Sequence, residues 1–184
     1  EDSALIKAHQ PLFHAATRLI GHLPVRNRGT VGGSFAHADP AAEYPAVALA
    51  QDLQMKAQGP NGTRLIAAQD FFVTFMTTSL EASEVLTEVR LPAMKAGTGW
   101  SIQEFTRRAG DLALTGAVAT LRKVNGLCQD TRICAFGVSA TAMRFPAAEA
   151  LLNGKAPTAE NFARAASLAS ESVEEPIGDI HATP

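Results

Sequence analysis

The chemistry in this chain is concentrated in one stretch, Val25-Arg26-Asn27-Arg28-Gly29-Thr30-Val31-Gly32-Gly33-Ser34, followed by Phe35-Ala36-His37-Ala38-Asp39-Pro40-Ala41-Ala42-Glu43. Gly29, Gly32 and Gly33 let a ligand come close to the backbone. A run of exposed backbone N–H groups at such a turn makes an anion-binding concavity. Thr30 and Ser34 add hydroxyls able to bond phosphate oxygens. The pattern points to a loop that cradles a diphosphate. No lysine follows Gly33, so it is not a Walker loop, and Gly-x-Gly-x-x-Gly is absent. Taken as bare chemistry, a tight glycine turn without a ligand explains the string equally well.

Other chemistry is sparse. His37 and Asp39 form His-x-Asp, but two ligands do not make a metal site, and Asp39 also reads as a turn residue before Pro40. Cys128 and Cys134 have neither zinc nor iron–sulfur spacing and read as buried, reduced thiols. Arg26 and Arg28 read as surface arginines rather than phosphate ligands, because neutral backbone donors can hold a diphosphate. Spacing yields no Ser-His-Asp or Cys-His constellation, so no catalytic residue is assigned.

The elements that must position this stretch follow from periodicity. Leu12, Ala16, Leu19 and Ile20 repeat at helical spacing after Pro11, and Gly21 ends that helix. The glycine stretch is then expected on a loop, with a short helix near 45–51. Strands are expected at 53–58 and 63–67 around Gly59-Pro60-Asn61-Gly62, and Asp70 is read as a helix cap. Val85, Thr87, Val89 and Leu91 alternate with Leu86, Glu88 and Arg90, the period of a strand ending at Pro92. Met94 to Gly99 reads as a linker between residues 1–94 and 97–184. Beyond it come three antiparallel strands, with Asn125-Gly126 as a type I′ hairpin turn. Two helices follow, one after Pro146 and one capped by Thr158. Strands followed by helices make the fold class α+β.

Composition bounds the rest. The chain has 184 residues, 46% hydrophobic and 18% charged, which is globular rather than disordered. Its net charge of −2 argues against nucleic-acid or anionic-membrane partners. No apolar run reaches the ~20 residues needed to span a bilayer. The cytoplasm is the expected compartment.

The string from Asn27 to Glu43 resembles the second flavin-binding motif of the FAD-carrying medium subunit of molybdenum hydroxylases, the xanthine dehydrogenase and carbon monoxide dehydrogenase type. Arg107-Arg108-Ala109-Gly110-Asp111 and Gly178-Asp179-Ile180-His181-Ala182-Thr183-Pro184 also match that family. The resemblance implies the second subdomain of a two-part FAD-binding fold, then a C-terminal domain with a three-stranded antiparallel sheet and helices. It implies FAD as cofactor, held through Thr30, Val31, Gly32, Gly33 and Ser34, with Glu43 and Leu86 as further contacts. Glu43 facing solvent and Leu86 in the core are the plain alternatives.

The implied role is an oxidoreductase subunit passing electrons from iron–sulfur clusters through FAD to an acceptor. Its partners would be a molybdenum-cofactor subunit and an iron–sulfur subunit. Gln103 and Glu104 stand where many relatives carry a lysine, and a carboxylate there would not stabilise an anionic reduced flavin. Relatives also bear an Ala-Gly-Gly-x-Ser/Thr loop on a first subdomain, and this sequence has none. The expectation is therefore a fragment, inactive alone and weak for FAD. The alternative is a shortened stand-alone relative that binds no FAD and serves as an interaction or oligomerisation module. Val31, Phe35, Phe71, Phe72 and Phe75 are the expected apolar contact of a homo-oligomer.

Overall fold

A computed structural model describes residues 1–178 and 180–183. The last family-like stretch includes Asp179 and Pro184, which lie outside the described residues. The chain opens with helices α1 (Ala4–His9), α2 (Pro11–Leu19), α3 (Leu23–Arg26), α4 (Val31–His37) and α5 (Glu43–Ala50). The Ser3 hydroxyl caps α1 by accepting the Ile6 N–H. Pro11 starts α2, where its missing N–H costs nothing. Strands β1 (Gln54–Gly59) and β2 (Gly62–Ala67) form the expected hairpin, followed by α6 (Ala68–Phe71). A ribbon of β3 (Phe72–Thr74) and β4 (Thr77–Thr78) precedes β5 (Val85–Arg90). The first sheet is antiparallel in the order β2-β1-β5, so β5 is an edge.

The second half holds β6 (Thr98–Phe105), β7 (Thr115–Val124), β8 (Leu127–Phe136) and β9 (Met143–Arg144), then α7 (Pro146–Leu152) and α8 (Ala159–Glu171). The four strands pair in sequence order. Asn125 and Gly126 both have positive φ, 51° and 82°, as a type I′ turn demands. The three expected strands gain a short fourth, because Cys134 pairs with Arg144 as the chain enters α7. Thr158 caps α8 as expected, accepting from Asn161 N–H at 3.2 Å.

Four expectations change. The glycine stretch is not all loop: Val31–His37 is helical, nucleated by Thr30 as cap. Asp70 lies inside α6 rather than capping it, and Ala67 holds the cap position. The stretch 94–99 is anchored, since Met94 N–H donates to the His9 carbonyl at 2.9 Å and Thr98 already opens β6. Gln10 Nε2 further donates to the Pro92 carbonyl. Finally, Phe35 and Phe71 are fully buried, so the expected apolar contact surface is reduced to Val31 and Phe75, with Phe72 half-buried.

The core explains that last change. All eight residues of α5 are buried, and the helix lies between α2 on one side and β7 and β8 on the other. Leu12, Phe35, Val47 and Leu53 share one apolar cluster with Val118 and Phe136 of the second sheet. A second cluster seats α7 and α8 on β8 through Cys128, Ala148, Leu152, Ala165 and Ala169. Glu149, almost wholly buried, clasps this layer. Its carboxylate accepts Arg144 Nη2 at 2.7 Å and the Ile133 N–H at 3.0 Å. Among the described residues no helix is long and apolar enough to cross a membrane.

Two substitutions test this packing. A Cβ at Gly116 would fall 2.0 Å from Cζ of the buried Phe136 ring. Gly116→Ala is expected to cost about 1–3 kcal/mol, read as a lowered denaturant midpoint. Glu149→Ala leaves the Arg144 guanidinium and the Ile133 N–H without their acceptor, and a loss of about 3 kcal/mol is expected in the same measurement.

Candidate functional site

The start of α4 is built by its cap. Thr30 is extended, and its Oγ1 accepts the Gly33 N–H at 2.9 Å. That bond satisfies one of the four amides that a helix N-terminus leaves open. The Thr30 hydroxyl is thus engaged in the fold. A Cβ on Gly33 would sit 2.8 Å from Thr30 Oγ1, so glycine keeps the cap in place there. At Gly32 a Cβ would meet no heavy atom within 4 Å. Gly32 is the second residue of α4, and no neighbouring side chain requires glycine there.

Aromatic stacking fixes where α4 lies. Phe35 stacks on Tyr44 at 5.5 Å, and Tyr44 stacks on Phe13 of α2 at 4.5 Å, with both pairs nearly parallel. The Thr17 hydroxyl donates to the Phe13 carbonyl at 2.8 Å, so Tyr44 is the donor in its 2.9 Å bond to Thr17 Oγ1. Burial raises the Tyr44 phenol pKa and keeps the group a neutral donor.

Between these helices and β5 lies a cavity of about 390 Å³. Val31 and Gly32 form one side, Leu86 and Val89 another, and Phe13 and Tyr44 a third. The volume falls within the ~300–1,000 Å³ range of ligand sites. The rim carboxylates are neutralised: Glu1 accepts from Arg26 Nε at 3.0 Å, and Glu88 is paired with Arg90 at 2.7 Å and Lys56 at 3.5 Å. No lysine or arginine lines the cavity. His14 is the one lining side chain, among the described residues, that can carry a positive charge. Arg26 also donates to the Ile20 and Gly21 carbonyls, which makes it part of the turn before α3.

Leu86 reaches the cavity because the strand is irregular. Lys56 pairs with Glu88 while Ala57 pairs with Leu86, leaving Thr87 as a bulge. The bulge resets the alternation, so Leu86 and Val89 are both half-buried, although simple period-2 reading puts them on opposite faces. Glu43 stands just outside, in the first turn of α5 and 6% exposed. Burial pushes its pKa up to about 7; a hydrogen bond from its own backbone N–H opposes the rise, and the charges of Glu104 and Asp39 add to it. The alternative that Glu43 faces solvent is thereby removed.

The structure therefore brings Val31, Gly32 and Leu86 to one cavity, with Glu43 next to its Tyr44 wall. Thr30 and Gly33 are occupied with the cap, and Ser34 does not line the cavity. Sequence reasoning missed Phe13, Thr17 and Tyr44. The available sign was that Tyr44, the chain's one tyrosine, follows Glu43 directly. The Arg-Arg-Ala-Gly-Asp turn lies elsewhere. Its Gly110, at φ 87°, is covered by the His22 ring, and Arg107 donates to His181 at 2.9 Å.

Residues 1–94 match the family described as the FAD binding domain in molybdopterin dehydrogenase, and residues 100–184 match the CO dehydrogenase flavoprotein C-terminal domain. The chain is 38% identical to the carbon monoxide dehydrogenase medium chain of Hydrogenophaga pseudoflava, over 97% of this chain and 62% of that one. It is 40% identical to the nicotine 6-hydroxylase medium subunit of Paenarthrobacter nicotinovorans, over 98% and 62%. The solved carbon monoxide dehydrogenase from Hydrogenophaga pseudoflava superposes with a TM-score of 0.94 at 41% identity, covering 98% of this chain and 63% of that chain. Quinoline 2-oxidoreductase from Pseudomonas putida 86 gives 0.90 at 37%, over 98% and 62%. The chain thus spans about 62% of the length of the curated relatives it matches. It belongs to the family of FAD binding domains in molybdopterin dehydrogenases, here continued by a CO dehydrogenase flavoprotein C-terminal domain.

Proposed function

We propose that this chain is the FAD-holding part of an electron-transfer subunit in a molybdenum hydroxylase complex. The reading divides it into a second FAD subdomain at 1–94 and a C-terminal domain at 97–184. Its partners are a molybdenum-cofactor subunit and an iron–sulfur subunit, and its compartment is the cytoplasm. Bound FAD supplies the redox chemistry, accepting electrons and passing them to an acceptor.

The chain's own part is to bind and orient. The amides of Val31 and Gly32 offer donors to the diphosphate, and the partial positive charge at the start of α4 favours an anion. Leu86 and Val89 cover an apolar ring, and the Phe13–Tyr44 stack keeps the opposite wall rigid. Thr30 and Gly33 belong to the same proposed contact set, Thr30 through the hydroxyl proton that its cap bond leaves free to donate. Ser34 and Glu43, next to the cavity rather than in its lining, complete the proposed set of contacts.

One observation carries the reading. Leu86, far in sequence from the adjacent Val31 and Gly32, lines one cavity with them, and Gly32 carries no side chain there. The open space above Gly32 suits close approach of a ligand to the backbone. Gly32→Ala separates folding from binding. The variant is expected to unfold at the same temperature or slightly higher, because a Cβ at Gly32 meets no neighbour. Its FAD affinity, followed by quenching of flavin fluorescence, should fall by about ten-fold or more, on the order of 1.4 kcal/mol. Equal FAD binding by both proteins would remove Gly32 from the site.

A further inference from the structure

The seam between the two halves of the chain holds a second cavity, of about 280 Å³. It shares no lining residue with the cavity beside α4. Its walls come from the end of α5, the connecting stretch 92–95 and strands β6, β7 and β8. Among the described residues three cations line it, Lys95, Arg122 and Arg132, together with two carboxylates, Asp52 and Asp130. Lys95 Nζ and Arg122 Nη1 both donate to one oxygen, Asp130 Oδ2, at 3.1 Å each. Arg132 Nη2 donates to Asp52 Oδ2 at 3.1 Å. Three positive charges thus converge on two negative ones.

Two arginines elsewhere in the chain show what full pairing looks like. Arg64 gives Nε and Nη2 to the two oxygens of Glu84, both at 2.8 Å. Arg144 gives the same two donors to Glu149, at 2.9 and 2.7 Å. Each carboxylate fills one whole side of a guanidinium fork. On Arg132, Asp52 fills half of that side. It takes Nη2, while Nε is buried with no hydrogen-bond partner among the described residues. A buried charged donor left open is costly and calls for an acceptor. The carboxylates are also the more exposed members. The side chains of Asp52 and Asp130 are 64% and 47% exposed, against 29% and 33% for Arg132 and Arg122. Both aspartates hold left-handed backbone positions, at φ 50° and 51°. Asp130 falls where the β7–β8 pairing slips, between the registers of Thr120 and Arg122. Ion pairs this exposed add little to stability, so an incoming anion can exchange with them.

We propose that this seam cavity is a phosphate site, in which Lys95, Arg122 and Arg132 hold a phosphate dianion and Asp52 and Asp130 take its place when it is absent. Three features select phosphate. Its oxygens can accept from both Nε and Nη2 of Arg132 while another accepts from Arg122 and Lys95, which already meet at a single oxygen atom. Its double charge replaces that of the two aspartates. The volume lies just below the ~300 Å³ at which drug-sized ligand sites begin, which suits one phosphate group and is too small for a dinucleotide. The phosphate is either the free ion or the end group of a phosphomonoester. Lys95 belongs to the connection between the halves, and Arg122 and Arg132 belong to the second sheet. Bound phosphate therefore pins that connection to the sheet and stabilises the fold by mass action. The site stands independently of the FAD reading.

Calorimetric titration of the whole chain with inorganic phosphate, at constant ionic strength set by sodium chloride, tests the site. The wild type should bind one phosphate saturably. Arg132→Gln should weaken binding by about ten-fold or more, and Lys95→Gln, at an exposed side chain that the fold does not need, by several-fold. Asp130→Asn keeps a residue type that tolerates the left-handed backbone and removes a competing charge. It should bind phosphate several-fold more tightly, an effect that the loss of a merely structural ion pair does not produce. Absence of saturable binding in the wild type, unchanged binding in Lys95→Gln, or equal or weaker binding in Asp130→Asn overturns the proposal, whether or not Arg132→Gln folds. A parallel titration with glycerol 3-phosphate distinguishes the sources. Tighter binding than inorganic phosphate assigns the site to an esterified phosphate, and weaker binding assigns it to the free ion.

Discussion

The rest of this structure depends on a helix with no exposed side. The eight residues of α5, Glu43-Tyr44-Pro45-Ala46-Val47-Ala48-Leu49-Ala50, are all buried. A helix that is apolar all round can be satisfied only by elements on every flank. Here α2 and α4 supply one side and β7 and β8 the other. The three alanines let the second sheet approach the helix backbone closely. Neither half of the chain can bury α5 alone, so the two halves share one core.

This constraint reaches the candidate site directly. A fully buried helix must start inside the protein, and its first residues here are a carboxylate and a phenol. Tyr44 solves its problem through Thr17 and two stacked rings. Glu43 has its own backbone N–H, but burial outweighs that bond and raises its pKa to about 7. The same stack that settles Tyr44 fixes α4 and so places Gly32 at the cavity. Packing and chemistry are coupled here through one pair of adjacent residues.

Much of the plan was legible in the sequence where local chemistry decides structure. Asn125-Gly126 marks its hairpin because both residues accept positive φ, and Thr158 marks the start of α8 because its hydroxyl caps an amide. The Asn27–Glu43 string carried the family by its specificity. What was not legible depended on tertiary packing. Three glycines within Gly29–Gly33 read as loop, yet Thr30 and the buried Phe35 hold Val31–His37 helical. The bulge at Thr87 leaves no local mark, so period-2 counting put Leu86 on the wrong side of Val89. Phe35 and Phe71 looked like open contact residues because α5, which covers them, has no periodicity to announce its burial.

The position of β5 has a consequence for the protein in solution. Among the described residues it pairs with β1 and with no other strand, and an edge strand is a template for pairing with another chain. Glu88 and Arg90 place opposite charges along that strand, and Lys56 adds a third from its neighbour. The bulge at Thr87 spoils the even spacing that stacked copies need. Self-aggregation through this edge is opposed twice, by charges that resist desolvation and by a backbone that cannot repeat in register.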